Sequence, residues 1–531
     1  MSAAAMSMPA MSAPATRPLR AIAAILGADL RQRMRTPRFW GVVLALAAAM
    51  WWCFPAADAD FLTVSVGDGM RGRYSSAWIG MVAALMYSSL LSLAGFYLVR
   101  GTVTRDLDTR TWQLLVATTM SRGSYLVAKW LSHLVVFAVV IAAGLAVGLA
   151  AQWLRAEDAN IDLLELVKPV LVLTAPSLAL TAALAVWFDL VPWLRRSAGN
   201  ALFFVLWLML LGVGVSQAEQ APGAPLPWPG DPHGLLVAEY DLSRGWPTVD
   251  GAEELGLSVG TQALEGKSPT LLQWNHWDVT PATLRARGSW LALAIGVLLL
   301  AAPLLDRFAA HAGTRRSGVT GGARLRWLEA ALAPLQRTPF GSLLAAEWRL
   351  VLRPRRAWWW LAMLVLFAVQ AFAPEKGMAI AILGGWLLSL DVFARLVLRE
   401  RDTRTSALVF TAAGMRGRLL AARVLVAVGL AWMVVLPALL RLAIVHPQAA
   451  LATLLAGASL ALWGLASGAL FRNARLYELV LLGAGYVSAQ GALVLNVTVS
   501  PGTTALWHAA SLPLALLLLG AGWTKGLARH A

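Results

Sequence analysis

The sequence predicts an all-α protein that crosses a membrane about twelve times, in two similar six-helix halves. Three observations predict it: a composition too apolar for a water-soluble fold, apolar runs separated by charged connections, and a repeat relating the first half of the chain to the second. Hydrophobic residues make up 59% of the 531 and charged residues only 14%, against about 25% charged in soluble domains. Mean hydropathy is +0.65, so the apolar excess is general. Lipid removes the difficulty of hiding such a surface, provided the backbone satisfies its own hydrogen bonds as helices do.

The apolar runs fall near 40–54, 77–99, 130–153, 166–188, 200–216 and 289–305, and then near 357–373, 378–398, 419–445, 449–471, 476–496 and 506–523. A span needs about 20 residues, so the first run is short. Tryptophans cluster at run ends, among them Trp40, Trp51, Trp52, Trp153, Trp193, Trp290, Trp358 and Trp507, where interfacial aromatic belts lie. The first 19 residues, rich in Met, Ala, Ser and Pro, lack the apolar core of a cleaved signal peptide. They read as a disordered tail, and the run at 40–54 as an uncleaved signal-anchor. Cys53, the one cysteine, excludes an internal disulfide.

Charge placement gives the orientation. With the N-terminus cytoplasmic, the inner segments hold most of the 44 Lys and Arg residues but fewer than half of the 28 acids. This positive-inside pattern places both termini in the cytoplasm. It accounts for the net charge of +16 through topology and anionic lipid head groups. A nucleic-acid partner is not expected, because the basic residues are divided among short segments and form no basic domain. High Ala, Leu and Arg usage points to a GC-rich bacterium, hence its plasma (inner) membrane. The expected organisation is a tail with an interfacial amphipathic helix (1–39), a first six-span half (40–305) with an outer loop at 217–287, a cytoplasmic linker with a second interfacial helix (306–356), and a second six-span half (357–531).

The repeat is legible in two places. Asp29 and Arg31, then Arg35 and Trp40, recur at the same spacing as Glu347 and Arg349, then Arg353 and Trp358. Each set forms a basic amphipathic segment before the first span of its half, suited to the interface plane. After the second span, Arg105-Asp106-Leu107-Asp108-Thr109-Arg110-Thr111 aligns without a gap with Arg399-Glu400-Arg401-Asp402-Thr403-Arg404-Thr405. The match continues through Leu114 with Leu408 and Arg122 with Arg416, and ends at Lys129 with Arg423.

These connections resemble the first cytoplasmic loop of ABC-2 type transporter permeases, whose charged stretch leads into Gly-Thr-x-Glu-x-Leu-Leu and a Thr-Pro-x-Ser-Arg-like turn. Thr111, Leu114, Leu115, Thr118, Ser121 and Arg122 match that pattern. Arg110, Gln113 and Thr119 replace its Gly, Glu and Pro, and the second copy keeps Thr405, Leu408 and Arg416. The resemblance implies a membrane-spanning permease, expected to export, energised by separate ABC-type ATPase subunits, two copies per chain. ATP and Mg would be bound by those partners and no cofactor by this chain. It assigns coupling to Asp106, Asp108, Arg110, Thr111, Leu114, Leu115 and Arg122, and to Glu400, Asp402, Arg404, Thr405, Leu408 and Arg416. In this scheme Leu107, Trp112, Leu114 and Leu115 pack on the spans, while Asp106, Asp108, Arg110 and Arg122 face the ATPase.

A catalytic function finds little support. Gly260 to Ser268 ends in Gly266-Lys267-Ser268 but has five residues between its glycines, where a phosphate-binding loop needs four. The seven histidines are scattered without metal-ligand spacing. Asn275-His276-Trp277-Asp278 is the one local polar cluster suited to a membrane enzyme acting on a lipid-linked substrate. Asp391 and Arg395, four apart, are expected to pair on one helix face, and Lys168 and Arg441 to snorkel. A secondary transporter, the other alternative, should show broken spans with polar midpoints, and the runs read as continuous.

Overall fold

The computed structural model describes residues 18–305 and 326–528, except 57–58, 60, 68, 110, 112–119, 196, 219–227, 246–255, 265–267, 356, 404, 412–413, 490–494 and 496. The tail at 1–17 and the middle of the Arg-rich connection lie outside the described residues, as do Arg110, Trp112, Leu114, Leu115 and Arg404.

The protein is 78% helix and 4% strand. Among the described residues, six helices are long and apolar enough to cross a membrane: Ser76–Asp108, Arg122–Arg155, Leu163–Leu190, Pro281–Leu300, Pro447–Phe471 and Pro501–Thr524. The number rises to eight if two bent pairs, Glu375–Leu388 with Leu390–Leu396 and Met415–Met433 with Leu436–Val445, are each one span. Of the expected twelve spans, six to eight are thus candidates by length and composition among the described residues. Of the remaining apolar helices, Ser197–Ala218 has 22 residues, while Pro37–Trp51, Ala357–Phe372 and Ala474–Ala489 have 15, 16 and 16, at most about 24 Å of helix against a hydrocarbon core of about 30 Å. Outward faces stay apolar: Leu291, Leu299, Leu300, Leu514, Leu516 and Leu517 are all exposed, as lipid-facing helices require.

The chain divides into two compact units, Met1–Arg315 and Arg316–Ala531. In the first, Pro18–Met34 precedes Pro37–Trp51, whose start is fixed by Pro37 at the first helical turn, a position with no amide to lose. Ser75, Ser121, Asp162 and Thr280 each accept a backbone N–H from the first turn of the helix that follows, which ends the preceding loop. Ser76–Asp108 and Leu163–Leu190 form the interior of the unit, with 83% and 72% of their apolar windows buried. Each contains a π-turn, Tyr87–Leu91 and Val170–Thr174. The Thr174 hydroxyl donates to Ala84 O (3.0 Å) and the Trp207 indole to Ser89 O (2.9 Å).

One end of this unit carries a cap that departs from an all-α fold. Phe61–Val66 pairs antiparallel with Leu257–Ala263, and Met70–Gly72 pairs parallel with Thr270–Leu272. The outer segment at 217–287 thus supplies strands that pair with the loop before Ser76, along with the helix Leu235–Gly245. Arg71 clamps this cap to the turn after Arg122–Arg155 through two bonds to Glu157, 2.8 and 2.6 Å.

The second unit contains Pro339–Leu352, Ala357–Phe372, the two bent pairs, Pro447–Phe471, Ala474–Ala489 and Pro501–Ala528. The sharper bend, 67°, follows from Pro437, which opens Leu436–Val445 and cannot continue the preceding helix. Buried Gln370 reaches the broken backbone. Its amide donates to Val434 O (3.0 Å) and Ala381 O (3.2 Å), and its oxygen accepts from Ala438 N (3.4 Å). The chain at Gly385 passes so close that a Cβ there would stand 2.7 Å from Val434 O.

Candidate functional site

The repeated residues build a buried ion cluster in each unit. In the first, three elements meet: Pro18–Met34, the loop helix Thr102–Asp108, and the start of Arg122–Arg155. Each supplies charge. Asp29 takes Arg105 at 3.0 Å, Lys129 at 3.3 Å and Arg33 at 3.4 Å, and Lys129 also lies 2.8 Å from Asp106. The hydroxyl of Tyr125 donates to Asp106 (2.9 Å) and that of Ser132 to Asp29. Burial pushes the Asp29 carboxyl up, but Lys129, Arg33 and Ser132 outweigh it and hold the group well below the usual carboxylate range. Such charges are tolerable inside a protein only with this degree of pairing.

The loop helix is fixed at its start as well. Gly101 adopts φ +96° there, which a side chain would resist. Asp189, 1% exposed, accepts from the amides of Gly101 (2.7 and 2.9 Å) and Val103 (3.2 Å). Thr102 Oγ1 lies 2.9 Å from His133 Nε2 on the third-span helix.

The second unit repeats the arrangement with the residues the alignment pairs. Glu347 on Pro339–Leu352 takes Arg399 at 2.7 Å, and Arg423 on Met415–Met433 bonds Glu400 and stands 3.7 Å from Glu347. The threonines of the shared Asp-Thr-Arg-Thr core bond alike in both copies. Thr109 Oγ1 bonds Arg105 O (2.9 Å) and Thr111 Oγ1 (2.8 Å), and Thr403 Oγ1 bonds Arg399 O (2.9 Å) and Thr405 Oγ1 (2.8 Å).

The expected coupling residues therefore separate into two sets. Asp106 and Glu400 are buried in the clusters, not on a docking face; Asp108, Thr111, Arg122, Asp402, Leu408 and Arg416 are exposed. Of the interfacial-helix residues, Asp29 and Glu347 lie inside, while Arg31, Arg35 and Arg353 are exposed and Arg349 pairs with Glu329 at 2.7 Å. Arg33, Tyr125 and Ser132 were not expected in the site. At the aligned positions of the second unit stand Val351, Leu419 and Val426, so the repeat carried no signal for them.

The expected Asp391–Arg395 pair does not form. Asp391 takes Arg355, 3.0 Å to each oxygen, and Arg395 reaches Glu478 at 3.2 Å. Glu478 is fully buried, and supplying it with a cation gains more than an i,i+4 surface pair, worth a few tenths of a kcal/mol. Lys168 bonds Glu165 and Trp277 O, and Arg441 bonds Ala373 O at 2.5 Å. At the cap, exposed His276 lies with Nδ1 2.7 Å from Glu165 and Nε2 3.2 Å from Asp278. Glu165 also accepts from Trp277 N at 3.1 Å, so this cluster fastens the cap to Leu163–Pro169. Residues 265–267 of the glycine-rich segment lie outside the described residues, and Gly260 sits within strand Leu257–Ala263. No group of three or more potential metal ligands occurs among the described residues.

The helices define a membrane protein of six to eight candidate spans. Comparison with protein-family models, curated proteins and solved structures finds no match.

Proposed function

We propose that this chain is the membrane-spanning permease of an ATP-driven transporter, of the ABC-2 type its loops resemble. The observation that supports the reading most is the repeated cluster. In each unit it ties a loop helix to both the interfacial helix and the base of a span helix. A push on that loop would move the span with it, which is what a permease lacking its own ATPase site requires. In this reading all twelve apolar helices cross or enter the bacterial inner membrane, both termini and both clusters are cytoplasmic, and the cap is external. One ABC-type ATPase docks on each loop, so two serve each chain, and transport runs outward. Asp108, Arg122, Asp402 and Arg416 form the docking faces, while Asp106 and Glu400 transmit from within. ATP and Mg belong to the partner.

The test is co-purification of an ABC-type ATPase with the intact chain in mild detergent. Reversing the exposed charges at Asp108 and Arg122, or at Asp402 and Arg416, is expected to release it without altering the thermal unfolding of the permease. A folded preparation that carries no ATPase would sink the proposal.

The broken spans of the second unit, with Gln370 at one break, favour a second reading as a secondary transporter, whose sites lie at such breaks. Transport driven by an ion gradient in vesicles without ATP would decide for it.

A further inference from the structure

We infer that the first unit binds one ordered water at His233, between the outer segment and the two interior helices. Asp231, Pro232 and His233 belong to that outer segment, yet all three are buried in the unit. Arg287 anchors them there. Its Nη1 donates to Asp231 O (2.9 Å), and its Nη2 donates to Leu173 O (2.5 Å) and to the Ser177 hydroxyl (2.8 Å). His233 thereby lines a small cavity together with Ser92, Ser177, Thr181 and Trp207. The cavity measures about 10 Å³, space for one water. Ser92 directly follows the π-turn Tyr87–Leu91, and Ser177 and Thr181 follow the π-turn Val170–Thr174. The cavity therefore lies where both interior helices depart from α geometry, a feature frequent at functional sites.

The hydrogen bonds of the wall decide what the cavity takes. The Thr181 hydroxyl donates to Ser177 O (3.0 Å), the Ser177 hydroxyl to Pro232 O (2.8 Å), the Ser92 hydroxyl to Ser89 O (2.6 Å) and the Trp207 indole to Ser89 O (2.9 Å). Each hydrogen of these four groups is already used, and the hydroxyls offer lone pairs only. His233 adds another. Burial, reinforced by Arg287 and partly offset by Asp231, pushes its imidazole down to about 4. The ring is then neutral at pH 7, with one N–H and one lone-pair nitrogen. The Leu210 carbonyl beside the ring serves the N–H. Nδ1 has no partner, and none of the described residues donates to the ring. Buried acceptors are seldom left unpaired.

A wall of acceptors calls for a donor. An anion finds no hydrogen to bind. A cation is disfavoured because the Arg287 guanidinium bonds Ser177 in the same wall. Water fits both the volume and the chemistry: one hydrogen serves His233 and the other a wall hydroxyl oxygen. It joins the outer segment to the interior helices at the point where they meet.

The test is nitrogen NMR of the full-length protein in lipid bilayers at pH 7.5, labelled with ¹⁵N-histidine. A lone-pair ring nitrogen that accepts a hydrogen bond resonates upfield of one that does not. The His233 signals are assigned by their loss in His233→Gln. Thr181→Val, which keeps the volume and removes one wall oxygen, assigns them by a shift should His233→Gln fail to fold. We expect the His233 lone-pair nitrogen at the bonded position, with magnetisation transfer from water. Leu184→Phe extends a half-buried side chain of the cavity wall into the water's place. It should move the signal to the unbonded position and abolish the transfer. An unbonded position in the native protein would overturn the site. A bonded position without transfer from water, or one unchanged in Leu184→Phe, would assign the bond to a protein donor and overturn it equally. None of these readings involves an ATPase, so the outcome is independent of the transport proposal.

Discussion

Lys129 and Arg423 hold matching stations: each arises from the span helix that follows its charged loop and reaches the acidic residue of that loop, Asp106 at 2.8 Å for Lys129 and Glu400 for Arg423. Each also approaches the acid of the preceding interfacial helix, Asp29 at 3.3 Å and Glu347 at 3.7 Å. A charge quartet is thus kept while its members change from Asp to Glu and from Lys to Arg.

Removing one member should cost more than removing a pair. Lys129→Met leaves Asp29 and Asp106 with less cation than their burial needs and should destabilise the first unit by about 3–5 kcal/mol. Adding Asp106→Asn should recover part of the loss, giving a coupling of about 1–3 kcal/mol in a double-mutant cycle. Thermal and denaturant unfolding in detergent measure it; strictly additive single losses would show that the cluster is not a unit.

The halves of this site differ in how plainly the sequence displays them. All eight members of the two quartets lie in the two aligned stretches, so their correspondence between the halves is visible as a repeat; their contacts with one another are not, and neither is their burial. Asp106 and Asp108 look equivalent in a charged loop, yet residues two apart point away from one another on a helix, and Asp106 is buried while Asp108 is exposed. Helix positions followed from apolar runs, but spanning lengths did not, since charge-free sequence does not say where the backbone breaks. The run 419–445 reads as continuous although Pro437 sits at its 67° bend, and the 40° break at Ser389 has neither Pro nor Gly beside it. The strands were illegible because Phe61–Val66 finds its partner in Leu257–Ala263, far along the chain and without a local signal.

Gln370 should prove as important as any charged residue. Gln370→Leu keeps the volume and strips Val434 O and Ala438 N of a partner at the helix break. Buried groups left unsatisfied cost about 1–3 kcal/mol each, so a loss of about 2–4 kcal/mol is expected. Gln370→Glu should be intermediate, since it retains the acceptor for Ala438 N. Equal stability of Gln370→Leu and the native protein would mean that other groups serve the break.

Gly144 tests the packing of the first unit. A Cβ there would fall 1.4 Å from the Tyr87 hydroxyl at the π-turn, a distance that forces movement. Gly144→Ala should therefore destabilise by about 1–3 kcal/mol, as overpacking does, despite the better helix propensity of alanine. Tyr87→Phe in the same chain removes the nearest atom and should restore part of the stability, since the ring carbon Cζ would still stand 2.7 Å from the new Cβ. The comparison needs only the unfolding midpoints of the three variants.

Acid should loosen the cap through Glu157. Burial pushes its carboxyl up, but the bidentate Arg71 bonds, the Tyr74 amide and Arg73 outweigh this and set it below the ordinary glutamate value. A carboxyl depressed in the folded state contributes stability that is complete above its unfolded pKa of about 4.3. That stability is lost as pH falls through the folded value. Wild-type cap stability should hold from pH 8 to about 5 and decline below about 4. Glu157→Gln should lower stability at neutral pH and show less of the acid decline, because it has no proton to take up. Hydrogen exchange of the strands Phe61–Val66 and Leu257–Ala263 measures the cap separately from the spans. Parallel pH profiles in the two proteins would place the acid sensitivity elsewhere.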